Sequence, residues 1–328
     1  MDTRKYRWMI GLLALVIMGG LLTACATTGK PTADAGIAPN ITYQVADSAQ
    51  VTKVAYYFKE YKGAPMKTAM IARMTWEAFR DAIDAETVAV IPIGSVELEG
   101  PHLPLGVDTI TAEAVARGLN GAPGVLVGPT LPIGYSKWFM PFAGTISLEM
   151  ETLIRVLDEY ARSLIAHGVK RLLFFNAHRG NNAAIEAVAR TLIAEKKAQV
   201  AMINVWKLVN DLAAAPENQI DEGRFSHAGE AMTSVIMALA PETVVTEKIT
   251  VDKPKSPGGS AFKVKNSLGD TEFQGSIQTI FQDLRQITET GTMGDPSGAS
   301  PEKGRHLTEQ IADYTRAFIR EFQKLPLD

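Results

Sequence analysis

The sequence predicts an α/β fold, a parallel or mostly parallel sheet covered by helices on both faces, from two observations. From Met70 onward, helix-period segments alternate with short β-branched apolar runs, the order that builds parallel sheets. The run ETVAVIPIG, bounded by Pro92 and Gly94, is apolar without alternation, as a strand buried on both faces is. The elements follow in order. TWEAFRDAIDA reads as a helix, TVAVIPIG as a strand, DTITAEAVARGLN as a helix and GVLVGPTLPI as a strand. A long helix SLEMETLIRVLDEYARSLIAHG precedes the strand VKRLLFFNAH, and the helix NNAAIEAVARTLIAEKKA precedes the strand QVAMINVW. The segment Asp252 to Gly304 carries Pro, Gly and Ser where helix or strand tolerates them poorly, and predicts a long loop region, either a lid or binding loop or a variable surface loop. The amphipathic PEKGRHLTEQIADYTRAFIREFQ closes the chain as a helix, and no internal repeat is visible.

The 328 residues are 46% hydrophobic and 21% charged with net charge −3, which suits a globular chain with one large core. Basic residues are interspersed with acids, so no stripe for a phosphate backbone exists and nucleic acid is not an expected partner.

At the N-terminus Arg4, Lys5 and Arg7 precede an apolar run from Trp8 to Leu22 that is short for a membrane span. It reads as an export signal over residues 1–24. The sequence Leu22-Thr23-Ala24-Cys25 resembles the lipobox of bacterial lipoproteins, in which the cysteine is lipidated and becomes the mature N-terminus. Cys25 is the only cysteine, so an intrachain disulfide is excluded. The other reading is an uncleaved anchor helix ending in an incidental cysteine. By the same resemblance, Ala26 after the cysteine implies sorting to the periplasmic face of the outer membrane. Residues 25–69 form a tether that includes VTKVAYYFKEY, whose structure stays open, and residues 70–328 form the main domain.

The chemistry concentrates in IPIGSVELEGPHLPLGVD, where Glu97, Glu99, Asp108 and His102 fall in a Gly/Pro-broken stretch after a strand. Function in such sheets collects where strands end. Glu97 and Glu99 are two apart and point the same way in an extended backbone. The strand VKRLLFF delivers His178 to the same rim inside NAHRGN. FSHAGEAMTSVIMAL opens a helix with Ser226 as its cap, which puts His227 and Glu230 on one side of the first turn. Glu230 is either a metal ligand or an acid that compensates the helix dipole. His102 either orients a carboxylate or packs its loop. His167 sits at a helix end and His306 on the solvent side of the last helix; neither is assigned a role.

GSVELEGPHLPLGVD, FAGTISL, HGVKRLLFFNAHRGN, SHAGEAMTS and GTMGDPSGASPEKG, in that order, resemble the creatininase (creatinine amidohydrolase) family from about Thr75 to the last helix. The resemblance implies a three-layer α/β/α fold, divalent metal, hydrolysis of non-peptide amide or ring C–N bonds of small molecules, and homo-oligomers. It implies Glu97 as a ligand of one metal, Asp108 as the carboxylate bridging two, His178 as a further ligand and His227 as a catalytic proton shuttle. One or two ions per chain are expected, zinc or manganese, with iron or magnesium as alternatives. Such an ion lowers the pKa of bound water, so that a metal-bound hydroxide attacks the carbonyl that the ion also polarises.

The chain departs from the family pattern at several places. Glu99 stands where the family has histidine, and a glutamate there still suits a divalent ion. Met232 stands where the family has glutamate in HAGxxET, and a thioether does not hold a hard metal, so the second ion recruits Glu230, uses water or is missing. NAHRGN replaces NGHGGN, which adds Arg179, a residue for an anionic substrate group or an acidic neighbour. Trp138 and Phe139 occupy a stretch that in the family often holds a histidine, a rebuilt pocket in which Trp138 meets substrate or supports a ligand. The expected function is a metal-dependent amidohydrolase; the alternative is an inactive lipoprotein of the same fold that binds a ligand or serves assembly.

Overall fold

The structure, a computed structural model, describes residues 68–256, 261–266 and 269–327. The export signal, Cys25 and the tether up to residue 67 lie outside the described residues.

The sheet has four strands, β1 (Val88–Ile93), β2 (Val125–Val127), β3 (Arg171–Asn176) and β4 (Gln199–Asn204), in the order β2-β1-β3-β4. All three pairings are parallel, in register from Val88 opposite Arg171 to Ile93 opposite Asn176 in the central pair. A short helix α1 (Trp76–Asp81) leads in, with the Thr75 side chain accepting from the Ala78 amide as its N-cap. The crossovers are α2 (Val107–Arg117) between β1 and β2, α3 (Met150–Ala166) between β2 and β3, and α4 (Asn182–Ala194) between β3 and β4.

Strand side chains alternate between the faces, and both faces are apolar, so two helical layers are needed to cover them. Val88, Val90, Leu173 and Phe175 pack on one face against α2, α5 (Val205–Ala213), α6 (Glu230–Leu239) and α8 (Pro301–Gln323). Ala89, Ile91, Leu172 and Phe174 pack on the other against α3 and α4. The result is the three-layer α/β/α architecture. Strand order reverses between β1 and β3, where α2 leaves to one face and α3 and α4 lie on the other. A crevice opens at such a reversal, beyond the carboxyl ends of the strands.

The structure corrects the sequence reading at four places. β2 stops at Val127, because Pro129 and Pro132 cannot donate to a ladder; only Leu131 rejoins, donating to the Pro92 carbonyl at 2.9 Å. Val205 and Trp206 belong to α5, not to a strand. The predicted loop region holds an antiparallel three-stranded sheet of β5 (Lys263–Val264), β6 (Asp270–Phe273) and β7 (Ser276–Thr279), followed by the one-turn α7 (Leu284–Ile287). Alternating short runs around Gly275, whose φ is +82°, form that hairpin. Finally, Ser226 does not cap α6: the Gly229 amide donates to the Ser226 carbonyl at 3.1 Å, Ala228 has φ +53°, and the helix starts at Glu230. His227 therefore precedes the helix and does not share its first turn with Glu230.

Helix α8 crosses α6 closely at Gly304, where a Cβ would overlap the Ser234 carbonyl oxygen. Gly304→Ala is expected to destabilise the fold by about 1–3 kcal/mol through overpacking of a backbone that cannot yield. Thermal denaturation checks this; an unchanged Tm would show that the two helices separate freely.

Candidate metal centre

The side chains of the centre come from the loop after β1, the first turn of α2, the turn after β3 and the turn before α6. After β1 the chain runs extended through Val96, which bridges Ile146, and the Glu97 amide donates to the Leu105 carbonyl at 2.8 Å. Glu97 and Glu99 thus share a side and are both buried. Asp108 lies in the first turn of α2, where a carboxylate is favoured by the helix dipole, and is buried as well. His178 follows β3, its backbone clamped by Asn176, whose Oδ1 accepts from the His178 amide at 3.1 Å and whose Nδ2 donates to the His178 carbonyl at 2.7 Å.

Two groups of donor atoms converge. Glu97, Asp108 and His178 form one; Glu97, Glu99 and His227 form the other, and in each the donor atoms lie within 4.8 Å of one another. His178 Nδ1 is 3.0 Å from Asp108 Oδ2 and its Nε2 is 3.3 Å from Glu97 Oε2. His227 Nε2 is 3.0 Å from Glu99 Oε2 and 3.9 Å from Glu97 Oε1. The shared carboxylate is Glu97, whereas Asp108, expected as the bridge, has its other oxygen occupied by the Trp206 indole N–H at 2.6 Å.

Hydrogen bonds outside the groups fix the ring orientations. His178 Nε2 is 2.9 Å from the Tyr135 carbonyl, which can only accept, so that nitrogen carries a proton and Nδ1 faces Asp108. His227 Nδ1 donates to the Gly291 carbonyl at 2.7 Å, leaving Nε2 toward the acids. Trp138 stacks on His178 with ring centroids 5.8 Å apart, and Phe139 on His227 at 5.0 Å.

Charge in the group is balanced by the imidazoles. Burial alone would push Glu97 up, but His178 and then His227 outweigh it and hold the carboxyl at about 2. Burial pushes Glu99 up to about 8, with Asp108 and Glu97 adding to the rise and His227 opposing it. Burial would depress both histidines, yet Glu97 and Asp108 around His178, and Glu99 and Glu97 around His227, raise both well above their ordinary value.

The residues fit a divalent cation. The donors are carboxylate oxygens and imidazole nitrogens, the ligand types such ions take. Both Glu99 oxygens and His227 Nε2 are buried without a hydrogen-bond partner, the 3.0 Å approach between them being off the line a hydrogen bond needs. Atoms of that kind converge on a point rather than on each other.

Other predicted residues lie elsewhere. Glu230 is buried, paired with Lys303 at 2.5 Å and accepting from the Glu222 amide at 3.0 Å, so it does not join either donor group. Its place follows from the late start of α6. His102 is buried with Nε2 2.9 Å from Thr233 Oγ1, a loop-to-helix contact. Arg179 meets an acidic neighbour, Asp270, at 2.9 Å. Met232 lines the cavity over the centre, its sulfur accepting from the Ala228 amide at 3.3 Å.

Several supporting residues were missed from sequence. Ser136 donates to Glu97 Oε2 at 2.5 Å, and Ser95 donates to Asp108 Oδ2 at 2.7 Å. Asn181 ties the Gly94 carbonyl to the Tyr135 amide, at 3.1 and 2.9 Å, joining the loops that carry Glu97 and Trp138. The three asparagines of NAHRGNN were the available signal for such a clamp. Nothing local marked Ser136 or Trp206.

Comparison with known proteins places the chain. The family described as creatinine amidohydrolase matches residues 72–319. The mycofactocin precursor peptide peptidase of Mycobacterium ulcerans (strain Agy99) is 32% identical over 233 residues, 68% of this chain and 81% of that protein. The creatinine amidohydrolase of Pseudomonas putida is 27% identical over 273 residues, 78% of this chain and 97% of that protein. Among solved structures, a creatinine amidohydrolase (creatininase) and a creatininase described as the Mn form each align with a TM-score of 0.62 at 25% identity, over 79% of this chain and 100% of the other. With the three-layer fold, the family match and these relatives agreeing, the chain belongs to the creatininase (creatinine amidohydrolase) family.

Proposed function

We propose that this protein is a metal-dependent amidohydrolase that cleaves a non-peptide amide or cyclic C–N bond of a small molecule. The observation that carries this reading is the convergence of Glu97, Asp108 and His178, buried and drawn from three separate segments, beside a cavity of about 640 Å³. The relatives named as a peptidase and an amidohydrolase support a hydrolytic role.

Glu97, Asp108 and His178 would hold one divalent ion, zinc or manganese by analogy with creatininases described as Zn–Zn and Mn forms. A divalent ion there supplies Lewis acidity, which makes a nucleophile available at neutral pH and polarises the carbonyl. Ser136, Ser95 and Trp206 orient the two carboxylates. His227, anchored by its Nδ1–H on Gly291, holds its second proton on Nε2 and delivers it to the departing nitrogen as water adds across the C–N bond. A second ion in the Glu97–Glu99–His227 group would take that nitrogen as a ligand. With Met232 in place of the family glutamate and Glu230 bound to Lys303, the second group is the weaker one.

Protons and ions compete for both groups. In the metal-free centre His178, His227 and Glu99 are held protonated at neutral pH, and each must lose its proton to coordinate. Metal affinity is therefore expected to rise with pH. The first group gives up the His178 proton, and the second gives up two, from Glu99 and His227. Metal content of the purified full-length chain should be near one per chain at about pH 7 and increase toward two as pH rises, because the second group has to release the protons of both Glu99 and His227. His178→Ala should lose the first ion, and with it hydrolysis across a panel of small amides, while the fold stays intact. Full metal content in that variant, or no metal in the parent after supplementation, contradicts the assignment.

We extend the proposal to location. Lipidated Cys25 anchors the protein at the periplasmic face of the outer membrane, and homo-oligomers carry the catalytic domain. The lipobox resemblance supports the anchor. Labelled palmitate should be incorporated by the parent and not by Cys25→Ser; equal labelling refutes the anchor.

A further inference from the structure

The cavity wall over the metal centre is unequal in charge. Among the described residues its only carboxylates are Glu97, Glu99 and Asp108, the candidate centre itself, while Arg179, Lys207, Arg224 and Lys265 line it as cations. Three of these have acidic partners, Asp270 for Arg179 at 2.9 Å, Asp211 for Lys207 at 2.7 Å and Glu272 for Lys265 at 2.5 Å. None of those acids lines the cavity. Arg224 has no carboxylate within ion-pair distance among the described residues, and it is exposed. Its guanidinium offers a fork of donors to whatever enters.

Two neutral polar groups lean the same way, against one unused acceptor, the buried Asn204 Oδ1. Trp138 lines the cavity, and its indole N–H is buried without a partner. Asn182 also lines it; its Oδ1 accepts from both Asn176 and Asn204, at 2.8 and 3.1 Å, so its amide N–H groups are the part left for a ligand. An unpaired guanidinium and unused donors on the wall of a centre that takes up positive charge suit a molecule carrying a negative group at a distance from the bond to be cleaved. Trp138 and Phe139 supply apolar surface between the two ends.

We propose that the substrate is an amide that also carries a carboxylate, with Arg224 receiving the carboxylate at the cavity mouth while the C–N bond lies at the metal centre. This rests on the hydrolase reading above and adds the substrate class. A charge-assisted, two-pronged contact to a carboxylate accounts for selection of an acidic over a neutral amide.

Binding to the metal-loaded full chain tests this without turnover, using two ketones that contain no C–N bond. 5-Oxohexanoate carries the carboxylate and 2-hexanone lacks it, and binding is followed by isothermal titration. 5-Oxohexanoate should bind at least about tenfold tighter, Arg224→Gln should remove most of that preference at an unchanged Tm, and Arg224→Lys should restore part of it. Equal binding of the two ketones overturns the proposal. So does a preference that survives in Arg224→Gln, since an anion gripped by the metal alone would bind both proteins alike. Amide hydrolysis without any anion preference would leave the hydrolase reading standing and remove only the substrate class. An Arg224-dependent preference in a chain that hydrolyses no amide would remove the hydrolase reading and the substrate class with it, leaving Arg224 as a carboxylate-binding residue.

Discussion

Three carboxylates are buried in one cluster, and they cannot stay there as anions without positive charge beside them. Isolated buried carboxylates cost several kcal/mol each, so the cluster is tolerable only with protons, imidazolium partners or a metal ion. Here Glu97 and Asp108 face His178, Glu97 and Glu99 face His227, and Glu99 is pushed up to about 8, so the metal-free centre is neutralised largely by protons. A divalent cation held by these donors would replace those protons. The surrounding structure serves this exchange. Tyr135 and Gly291 fix one ring nitrogen of each histidine, and Trp206 and Ser95 pin Asp108, so the remaining donor atoms are aimed before any ion arrives.

The fold explains why these groups meet. The sheet reverses its strand order between β1 and β3, and those two strands deliver Glu97 and His178 to the same end. Asp108 comes from the helix that leaves β1 on one face, and Asn181 from the turn that enters α4 on the other, so both helical layers are tied to the centre. Gly180 records how tight this assembly is: a Cβ there would collide with His178, Trp138 and the Tyr135 carbonyl. His227 is the outlying member. It reaches the centre from the turn before α6, held from behind by Glu222, which accepts from the Glu230 amide and from Ser226.

Much of this was legible in the sequence, for identifiable reasons. Strands buried on both faces write themselves as unbroken apolar runs, and VAVIPI and RLLFFN were found almost to the residue. The convergence of Glu97, Asp108 and His178 was legible because strand ends are where acids and histidines of this kind gather. The errors have separate physical causes. The positive φ of Ala228 delays α6 and turns Glu230 away from His227, and helix periodicity carries no sign of such a turn. The hairpin of β5 to β7 was hidden by its Gly and Ser content, which reads as loop whether or not strands pair within it. Ser136 and Trp206 act through contacts between segments far apart in the chain, and only the folded structure brings them together.

The most direct measurement is anomalous diffraction at the metal edge from crystals of the metal-loaded chain. The account predicts a peak at coordination distance, about 2.0–2.2 Å, from Glu97, Asp108 and His178. A loaded crystal with no peak between these three residues, or with its ion held by other side chains, would contradict it.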